Sequence, residues 1–391
     1  MRYINRAIEK EIKTASRAFP AVLVTGPRRA GKTTLLKKLF PQASYYLLED
    51  TDIISRIKAD PRSFLEEVKP PVILDEIQNV PELFNYIRTR IDEKPHRAGQ
   101  WYFTGSQDAP LMKGVSESMA GRVAVFHLLP LSLEEDRDVS MISGGFPEVL
   151  AKPRTASVWF RSYIQTYLER DVRSISDIKD IAAFRKFLSI LASRSGTILN
   201  KTDLAAPLGI SVPTLAEWLS ILEITGQIII VPPFYENFGK RLIKSPKIYF
   251  VDSGLAVYLL GIETEAALRK STFLGQIFEG FIASEIVKRQ INRGKRQQLY
   301  YFRDQQGLEV DFIVPAGDNR LLVMEAKAVR SVTPAMSGSL NRLARAVSRY
   351  KVEKYVVYLD PPKGSKKGFY TLSAGVKAVP VGEIGSPVLR M

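Results

Sequence analysis

Residues 21–33, AVLVTGPRRAGKT, form the stretch of sequence that decides the fold. Within it, residues 26–33 match the pattern G-x-x-x-x-G-K-[ST] at every fixed position. A strand-like run, AVLVT, precedes the match and a helix-like run, KTTLLKKLF, follows it, which is the context that a phosphate-binding loop requires. Glycines allow the backbone amides to face phosphate oxygens, which the positive end of the helix dipole also attracts. We therefore predict a P-loop whose phosphate-binding residues are Gly26, Pro27, Arg28, Arg29, Ala30, Gly31, Lys32, Thr33 and Thr34.

A second apolar run, PPVILDEIQNV at residues 70–80, ends in two adjacent carboxylates. In an open α/β sheet, such a strand directs its carboxylates into the ligand crevice at the carboxyl edge of the sheet. We predict that Lys32 reaches the β- and γ-phosphates and that Thr33 and Asp75 hold Mg²⁺. Glu76 is then placed to orient and deprotonate the attacking water, which is what distinguishes a nucleotide hydrolase from a nucleotide binder.

The order of the remaining patterns predicts a chain of several domains. Strand-like and helix-like runs alternate through residues 1–150, which predicts an α/β fold with a parallel sheet. A helical connector at 151–180 precedes three helical patterns and a strand hairpin at 181–262, the order typical of a winged helix-turn-helix. Residues 263–391 mix helices and strands in a further α/β domain. The strands of the first region are predicted at 21–25, 45–48, 71–75, 101–104 and 123–127.

The segment GLEVDFIVPAGDNRLLVMEAKAV, residues 307–329, alternates polar and apolar positions and predicts an antiparallel hairpin. The register that gathers the apolar side chains on one face places Asp311 opposite Glu325 on the other face. Directly opposed carboxylates, with Cβ atoms about 5 Å apart, repel each other. A divalent cation with Lys327 beside it is the economical compensation. A purely structural hairpin is the alternative.

The chain resembles the AAA-type P-loop ATPases of archaea and bacteria that carry a restriction-endonuclease-like carboxyl-terminal domain. The resemblance covers nearly the whole chain and rests on GPRRAGKTTLL, VILDEIQ, WYFTGSQ, AGRVAVFHLLPLS and GGFPEVL, in this order. It implies adenine nucleotide as the ligand and a sensor strand inserted between the P-loop strand and the strand that ends in Asp75. It also implies that Ser106 senses the γ-phosphate, with a simple turn as the alternative. Arg122 is the candidate for a charge-neutralising arginine, in cis or from a neighbouring subunit, with a surface arginine as the alternative.

The carboxyl-terminal hairpin resembles the D…E-x-K core of restriction-endonuclease-like nucleases through Asp311, Glu325 and Lys327. In that family the acidic pair holds Mg²⁺ or Mn²⁺, and the lysine positions or activates the attacking water. A preceding helix commonly adds a carboxylate, and Glu279 in GQIFEGFIASEIV matches that place. A domain that binds metal without cleaving nucleic acid stays open at this point.

Composition excludes several classes of protein. With no Cys and two His among 391 residues, disulfide scaffolds, thiolate zinc sites and cysteine nucleophiles are absent, and little remains for histidine chemistry. No apolar run has the roughly 18 residues of a membrane span, and the charged amino end does not read as a signal peptide. We expect a cytoplasmic protein with no membrane partner.

Net charge favours a nucleic-acid partner. Lys and Arg number 56 against 41 Asp and Glu, a net charge of +15, and the basic excess is strong after Arg330. Phosphate contacts are expected from Arg241 and Lys244 near the wing and from Lys201. Two functions stay open: an ATPase that engages DNA and cleaves it with a metal-dependent nuclease domain, and a regulatory ATPase switch that binds nucleic acid or protein without cleavage. A homo-oligomer is compatible with both.

Overall fold

The protein is described from a computed structural model. The structure describes residues 3–105, 115, 117–168, 180–234, 245–361 and 370–385. Contacts divide the chain into two units. The first comprises Met1–Leu131, Ile224–Gly226 and Ile291–Lys295, and the second comprises Ser132–Glu223, Gln227–Gln290 and Arg296–Met391.

The first part of the chain alternates strands and helices. In chain order these are α1 (Glu9–Ser16), β1 (Ala21–Thr25), α2 (Lys32–Leu39), β2 (Ser44–Leu47), α3 (Thr51–Ala59), α4 (Pro61–Glu67), β3 (Val72–Asp75), α5 (Leu83–Glu93), β4 (Trp101–Thr104) and β5 (Val123–His127). The α/β prediction for this region is confirmed.

The five strands of the first unit form one parallel sheet in the order β2-β3-β4-β1-β5. Strand β4 therefore lies between the P-loop strand β1 and the Asp75 strand β3, as the resemblance implied. Alternate residues of β1 enter two different cores, Leu23 with α4 and α5 and Val22 with α1 and α2. Because both faces are covered by helices, β1, β3 and β4 are buried along their whole length and apolar up to their last residue, which is Thr25, Asp75 or Thr104.

The second unit begins with helices and a short hairpin. Its elements are α6 (Pro147–Ala151), α7 (Ala156–Tyr163), α8 (Ile181–Ser193), α9 (Lys201–Ala205), α10 (Val212–Ile224), β6 (Ile228–Val231) and β7 (Lys247–Phe250). The three helices α8 to α10 and the antiparallel pair β6–β7 share one apolar cluster that contains Phe187, Trp218 and Ile248. Ser211 caps α10 at its amino end, because its hydroxyl accepts a hydrogen bond from the Thr214 amide at 3.2 Å.

The last part of the chain forms a six-stranded sheet with helices. Its elements are α11 (Ser253–Leu259), α12 (Glu265–Lys270), α13 (Leu274–Ile291), β8 (Tyr300–Arg303), β9 (Glu309–Pro315), β10 (Arg320–Lys327), α14 (Gly338–Ala346), β11 (Lys351–Tyr358), β12 (Tyr370–Thr371) and β13 (Lys377–Pro380). The sheet order is β12-β13-β11-β10-β9-β8, and β10 and β11 are parallel partners joined by the segment that contains α14.

The predicted register of the β9–β10 hairpin is confirmed. Phe312 pairs with Met324 and Val314 pairs with Leu322, which buries the apolar face of the hairpin. The turn contains Asp318 and Asn319 with positive φ values of 46° and 55°, a conformation that these residue types tolerate better than most.

Membrane-spanning potential is low among the described helices. None is by itself both long and apolar enough to span a membrane. The pair Lys201–Leu208 and Val212–Ile224, bent by 105° at their junction, meets the length and composition test only when it is counted as one segment.

Candidate functional site

The P-loop connects β1 to α2 through two glycines in conformations that other residues rarely adopt. Gly26 has φ of 134°, and a Cβ atom there would collide with the backbone carbonyl of Leu128. Gly31 has φ of 97° and stands at the amino end of α2. The backbone conformation of the loop therefore favours glycine at both positions, and these are the two glycines of the motif.

The remaining loop residues differ in exposure. Pro27 and Ala30 are buried, Arg28 is half-buried, and Arg29 and Thr34 are exposed. Lys32 is buried, and its Nζ donates hydrogen bonds to the carbonyl oxygens of Gly26 at 3.0 Å and Pro27 at 3.1 Å. The ammonium group thus lies inside the curl of its own loop.

A buried arginine from the amino-terminal segment supports this loop. Arg6 donates from Nη1 to the carbonyl oxygen of Ala30 at 2.9 Å and from Nη2 to that of Leu129 at 2.6 Å. Sequence reasoning missed Arg6 because it lies 24 residues before the carbonyl that it supports, outside any motif.

The carboxylate of Asp75, at the end of β3, accepts hydrogen bonds from three hydroxyl groups. Thr33 Oγ1 lies 2.9 and 3.0 Å from its two carboxylate oxygens, Tyr45 donates from its hydroxyl at 2.7 Å, and Thr104 also donates to Oδ1. A hydroxyl and a carboxylate that converge beside a P-loop are the donor set that Mg²⁺ takes from such sites, so Thr33 and Asp75 fit this ion. Burial and the bond to Asp75 raise the pKa of Tyr45 above its ordinary value, so the phenol stays protonated as a donor.

Glu76 follows Asp75 in a left-handed backbone conformation, with φ of 59° and ψ of 48°. Its amide donates to Thr104 Oγ1 at 3.0 Å, and its carboxylate accepts a hydrogen bond from Gln78. The P-loop residue Arg28 lies 3.8 Å from the same carboxylate and 3.5 Å from that of Glu49. A left-handed backbone at a non-glycine residue is strained and persists only where the surrounding structure holds it in place. Such residues are common at functional sites.

Arg122 does not reach this site in cis. Its carbonyl accepts a hydrogen bond from the amide of Ala21, at the amino end of β1, whereas the P-loop begins beyond Thr25 at the carboxyl end. Four residues of strand, about 13 Å, separate the two ends. The guanidinium is paired with Asp92 at 2.6 and 3.0 Å. In this structure the guanidinium thus contacts Asp92 and not the P-loop, and a charge-neutralising role, in cis or from a neighbouring subunit, stays a prediction beside the surface-arginine alternative. Ser106 lies outside the described residues.

Comparison with known proteins gives a family. An AAA domain model matches residues 18–136, and two domains of unknown function, DUF8612 and DUF4143, match residues 134–266 and 274–380. An uncharacterized protein of Mycobacterium tuberculosis, Rv2008c, is 32% identical over 338 residues, which cover 84% of this chain and 74% of that protein. The chain belongs to the Rv2008c family. With its AAA domain and P-loop, this member of the Rv2008c family is an AAA-type P-loop ATPase.

More distant proteins also align with this member of the Rv2008c family. An uncharacterized protein of Methanocaldococcus jannaschii, MJ1544, is 23% identical over 366 residues, which cover 82% of this chain and 79% of that protein. Among solved structures, the Walker-type ATPase PABY2304 of Pyrococcus abyssi is 16% identical with a TM-score of 0.43, over 64% of this chain and 94% of that one.

The carboxyl-terminal carboxylates of this Rv2008c-family chain lie together in the second unit. Asp311 accepts a hydrogen bond from the Ala326 amide at 2.9 Å. Glu325 is buried and accepts hydrogen bonds from Lys327 Nζ and Ser339 Oγ, both at 2.6 Å. Burial and then the charge of Asp311 raise the pKa of Glu325, against the opposing effect of Lys327. The predicted repulsion across the hairpin is thus present.

Glu279 of α13 joins this group together with a lysine that sequence reasoning missed. Glu279 Oε1 accepts from Lys247 Nζ at 3.0 Å and from the Tyr249 hydroxyl at 2.5 Å. Lys247 Nζ also lies 2.7 Å from Glu309 Oε1. Burial raises the pKa of Glu279, and the charge of Asp311 raises it further, while Lys247 opposes both.

The compensating charges in this cluster are therefore two lysines, and the expectation of a divalent cation in that role requires correction. No three Asp, Glu or His side chains within the described ranges are placed to hold one metal ion together. The carboxylates are held by Lys247, Lys327, Ser339 and Tyr249 instead. In this arrangement the residues do not fit a metal.

Proposed function

We propose that the protein couples ATP hydrolysis in its first unit to the engagement of DNA, and that its carboxyl-terminal domain is a metal-dependent nuclease, whose carboxylates would have to leave their lysine partners before they could hold a metal. The observation that carries the proposal is the convergence of Thr33, Asp75 and Glu76 beside a complete P-loop. The P-loop, the start of α2 and the end of β3 thus bring a phosphate cradle, a metal-binding pair and a general base into one crevice.

The chemistry of hydrolysis follows from these positions. Lys32 must exchange the carbonyl oxygens of Gly26 and Pro27 for phosphate oxygens when nucleotide enters. Bound Mg²⁺, held by Thr33 and Asp75, would supply charge neutralisation at the β- and γ-phosphates. Glu76 would accept the proton of the attacking water, and its strained backbone orients the carboxylate for that purpose.

We assign DNA engagement to residues 181–262 as a winged helix and to the basic carboxyl-terminal region. Three helices followed by the β6–β7 hairpin support the winged-helix assignment, and Lys201 stands exposed at the start of α9. Arg241 and Lys244 lie outside the described residues. The division at 1–150, 151–180, 181–262 and 263–391 remains part of the proposal, because one family model, at 134–266, spans both middle segments.

We expect DNA affinity to fall steeply with salt, because a chain of net charge +15 binds largely by releasing phosphate counterions. Arg342, Arg345 and Arg349 are all exposed in and just after α14. Replacing these three by glutamine should reduce the slope of log Kd against log salt by up to about 3, measured by fluorescence anisotropy between about 50 and 200 mM salt. An unchanged slope would remove this surface from the binding site, and a wild-type affinity that is constant with salt would remove the electrostatic account.

Nuclease activity is the part of the proposal that the resemblance of Asp311, Glu325 and Lys327 supports. A second function, a regulatory ATPase switch that binds without cleaving, is favoured by the lysine pairing of Glu279 and Glu325. The nuclease and the regulatory switch differ in one respect: the nuclease needs carboxylates that become available to a cation, whereas the switch does not.

Incubation of supercoiled and linear DNA with Mg²⁺ or Mn²⁺, with and without ATP, tests these alternatives. We expect nicking by the wild type and none by Asp311→Asn, because this substitution removes the charge that acts on both Glu279 and Glu325. ATP hydrolysis should be the same in both proteins, since Asp311 and the P-loop belong to different units. Intact DNA under all conditions, with ATP hydrolysis preserved, would favour the regulatory switch.

A further inference from the structure

The carboxylate of Glu76 is held through one of its two oxygens. Its Oε2 accepts a hydrogen bond from the side-chain amide of Gln78 at 2.5 Å and lies 3.8 Å from the guanidinium of Arg28. Both contacts fall on Oε2, so neither of them engages Oε1. The carboxylate is thus fixed in orientation while its second oxygen is left to meet another group.

Gln78 reaches this carboxylate through a short 3₁₀ turn, Ile77–Asn79, that follows β3. Ile77 is fully buried in the apolar core of the first unit, which anchors the turn. Together with the left-handed backbone of Glu76, this anchor brings side chains that are two residues apart into contact. An ionised carboxylate only accepts hydrogen bonds, so the amide must present its nitrogen to Glu76 and its oxygen elsewhere.

The side-chain oxygen of Gln78 is a buried acceptor that receives no hydrogen bond from the residues that the structure describes. Buried polar atoms are almost always hydrogen-bonded, and an exception beside a candidate active site indicates a place for a ligand or a water molecule. The oxygen and nitrogen of an amide are about 2.3 Å apart, so Oε1 of Gln78 lies within about 5 Å of the Glu76 carboxylate. One water molecule donates to two oxygens when they are about 4.5 Å apart.

We propose that Gln78 is a further catalytic residue of the ATPase, whose side-chain oxygen accepts one hydrogen bond from the attacking water while Glu76 accepts the other. The proposal rests on the proposed role of Glu76 as general base. A water molecule that donates to two fixed oxygens has its lone pairs directed away from both, and this orients it for attack.

The step is a hydrolytic phosphoryl transfer. The water oxygen forms a bond to the γ-phosphorus, and one proton of the water moves to Oε1 of Glu76. The bond between the γ-phosphorus and the β–γ bridging oxygen breaks, and ADP leaves with its electron pair. The other proton, donated to Gln78, stays on the inorganic phosphate that is formed, and Glu76 later returns its proton to solvent.

Gln78→Met tests this role, because methionine has nearly the same length and lacks both the amide donor and the acceptor. We expect single-turnover hydrolysis about 10²-fold slower than in the wild type, the loss that misplacement of a reacting group causes, with unchanged affinity for ATP. Asn79→Met is the matched control, since Asn79 is the exposed neighbour in the same turn, and it should behave as the wild type. Hydrolysis by Gln78→Met at the wild-type rate would overturn the proposal.

Combining Gln78→Met with Glu76→Gln separates this role from a purely structural one. Both side chains act on the same water, so Gln78→Met should slow the Glu76→Gln protein by only about threefold or less. An equal slowing in both backgrounds would overturn the shared role. If Gln78→Met does not fold, as judged by urea unfolding, Gln78→Asn replaces it, because asparagine keeps the amide but withdraws it by one methylene group. It should show the same loss of rate with unchanged affinity for ATP.

Failure of this proposal is distinguishable from failure of the proposed base. Slow hydrolysis by Glu76→Gln and wild-type hydrolysis by Gln78→Met would keep the base and remove Gln78. Wild-type hydrolysis by Glu76→Gln and slow hydrolysis by Gln78→Met would keep Gln78 as a ligand of the water and remove the base. A loss of ATP affinity in Gln78→Met as large as its loss of rate would make Gln78 part of the binding surface and overturn its catalytic role.

Discussion

Glu76→Gln is expected to yield a protein that binds ATP as tightly as the wild type but hydrolyses it about 10²–10⁴-fold more slowly, the usual contribution of a general base. Glutamine keeps the shape of the side chain and can still contact Gln78, but it cannot take a proton from water. The P-loop and Asp75 are untouched by the substitution. Single-turnover hydrolysis and equilibrium binding of a fluorescent ATP analogue measure the two quantities separately.

Lys32→Ala is the matched control for this experiment, because it should lose nucleotide affinity rather than turnover alone. The ammonium group of Lys32 lies inside the P-loop, where it donates hydrogen bonds to the carbonyl oxygens of Gly26 and Pro27. Hydrolysis by Glu76→Gln at the wild-type rate would show that another group activates the water, and the assignment of Glu76 as the base would fall.

Gly26→Ala should abolish ATP binding and also lower the free energy of unfolding. The added Cβ would meet the Leu128 carbonyl, and φ of 134° is a conformation that alanine rarely adopts. Backbone strain alone costs about 1–3 kcal/mol, and the collision requires a further shift of the loop. Urea unfolding and nucleotide binding, measured on the same preparation, test both effects.

Gly121→Ala separates strain from collision. Gly121 also has a positive φ, 74°, but a Cβ there would have no atom within 4 Å. It lies next to Arg122, at the edge of the sheet opposite the P-loop. We expect a smaller loss of stability and full ATP binding. Equal losses of stability and of ATP binding in the two variants would contradict the role of the Leu128 contact.

Much of the fold could be predicted because local pattern and burial agree. The β9–β10 register follows from the apolar face that contains Phe312 and Met324, since a shift by one residue would expose it. The P-loop follows from a motif whose glycines are needed for a particular backbone path. The insertion of β4 between β1 and β3 came from the resemblance, because sequence pattern alone does not order strands within a sheet.

The missed residues are those whose partners come from distant elements. Lys247 meets Glu279 and Glu309, which are 32 and 62 residues further along the chain, and no local pattern connects them. Tyr45 reaches Asp75 only because β2 happens to be the neighbour of β3. The place of Arg122 at the amino edge of the sheet, away from the P-loop, could have been predicted, because a residue that precedes a parallel strand lies at that edge.

The unit that contains the P-loop is assembled from separated pieces of chain, and this has a consequence for its biosynthesis. It includes Ile224–Gly226 and Ile291–Lys295 in addition to Met1–Leu131. A Cβ on Gly226 would stand 3.1 Å from Pro27 of the P-loop, and one on Gly294 would stand 3.7 Å from Glu11. On a ribosome that adds about 5–20 residues per second, the last piece emerges roughly 8–30 s after Leu131. The nucleotide site of the nascent chain is therefore incomplete during this time. An amino-terminal fragment that ends at Leu131 likewise lacks the segment around Gly226 that lies beside the P-loop.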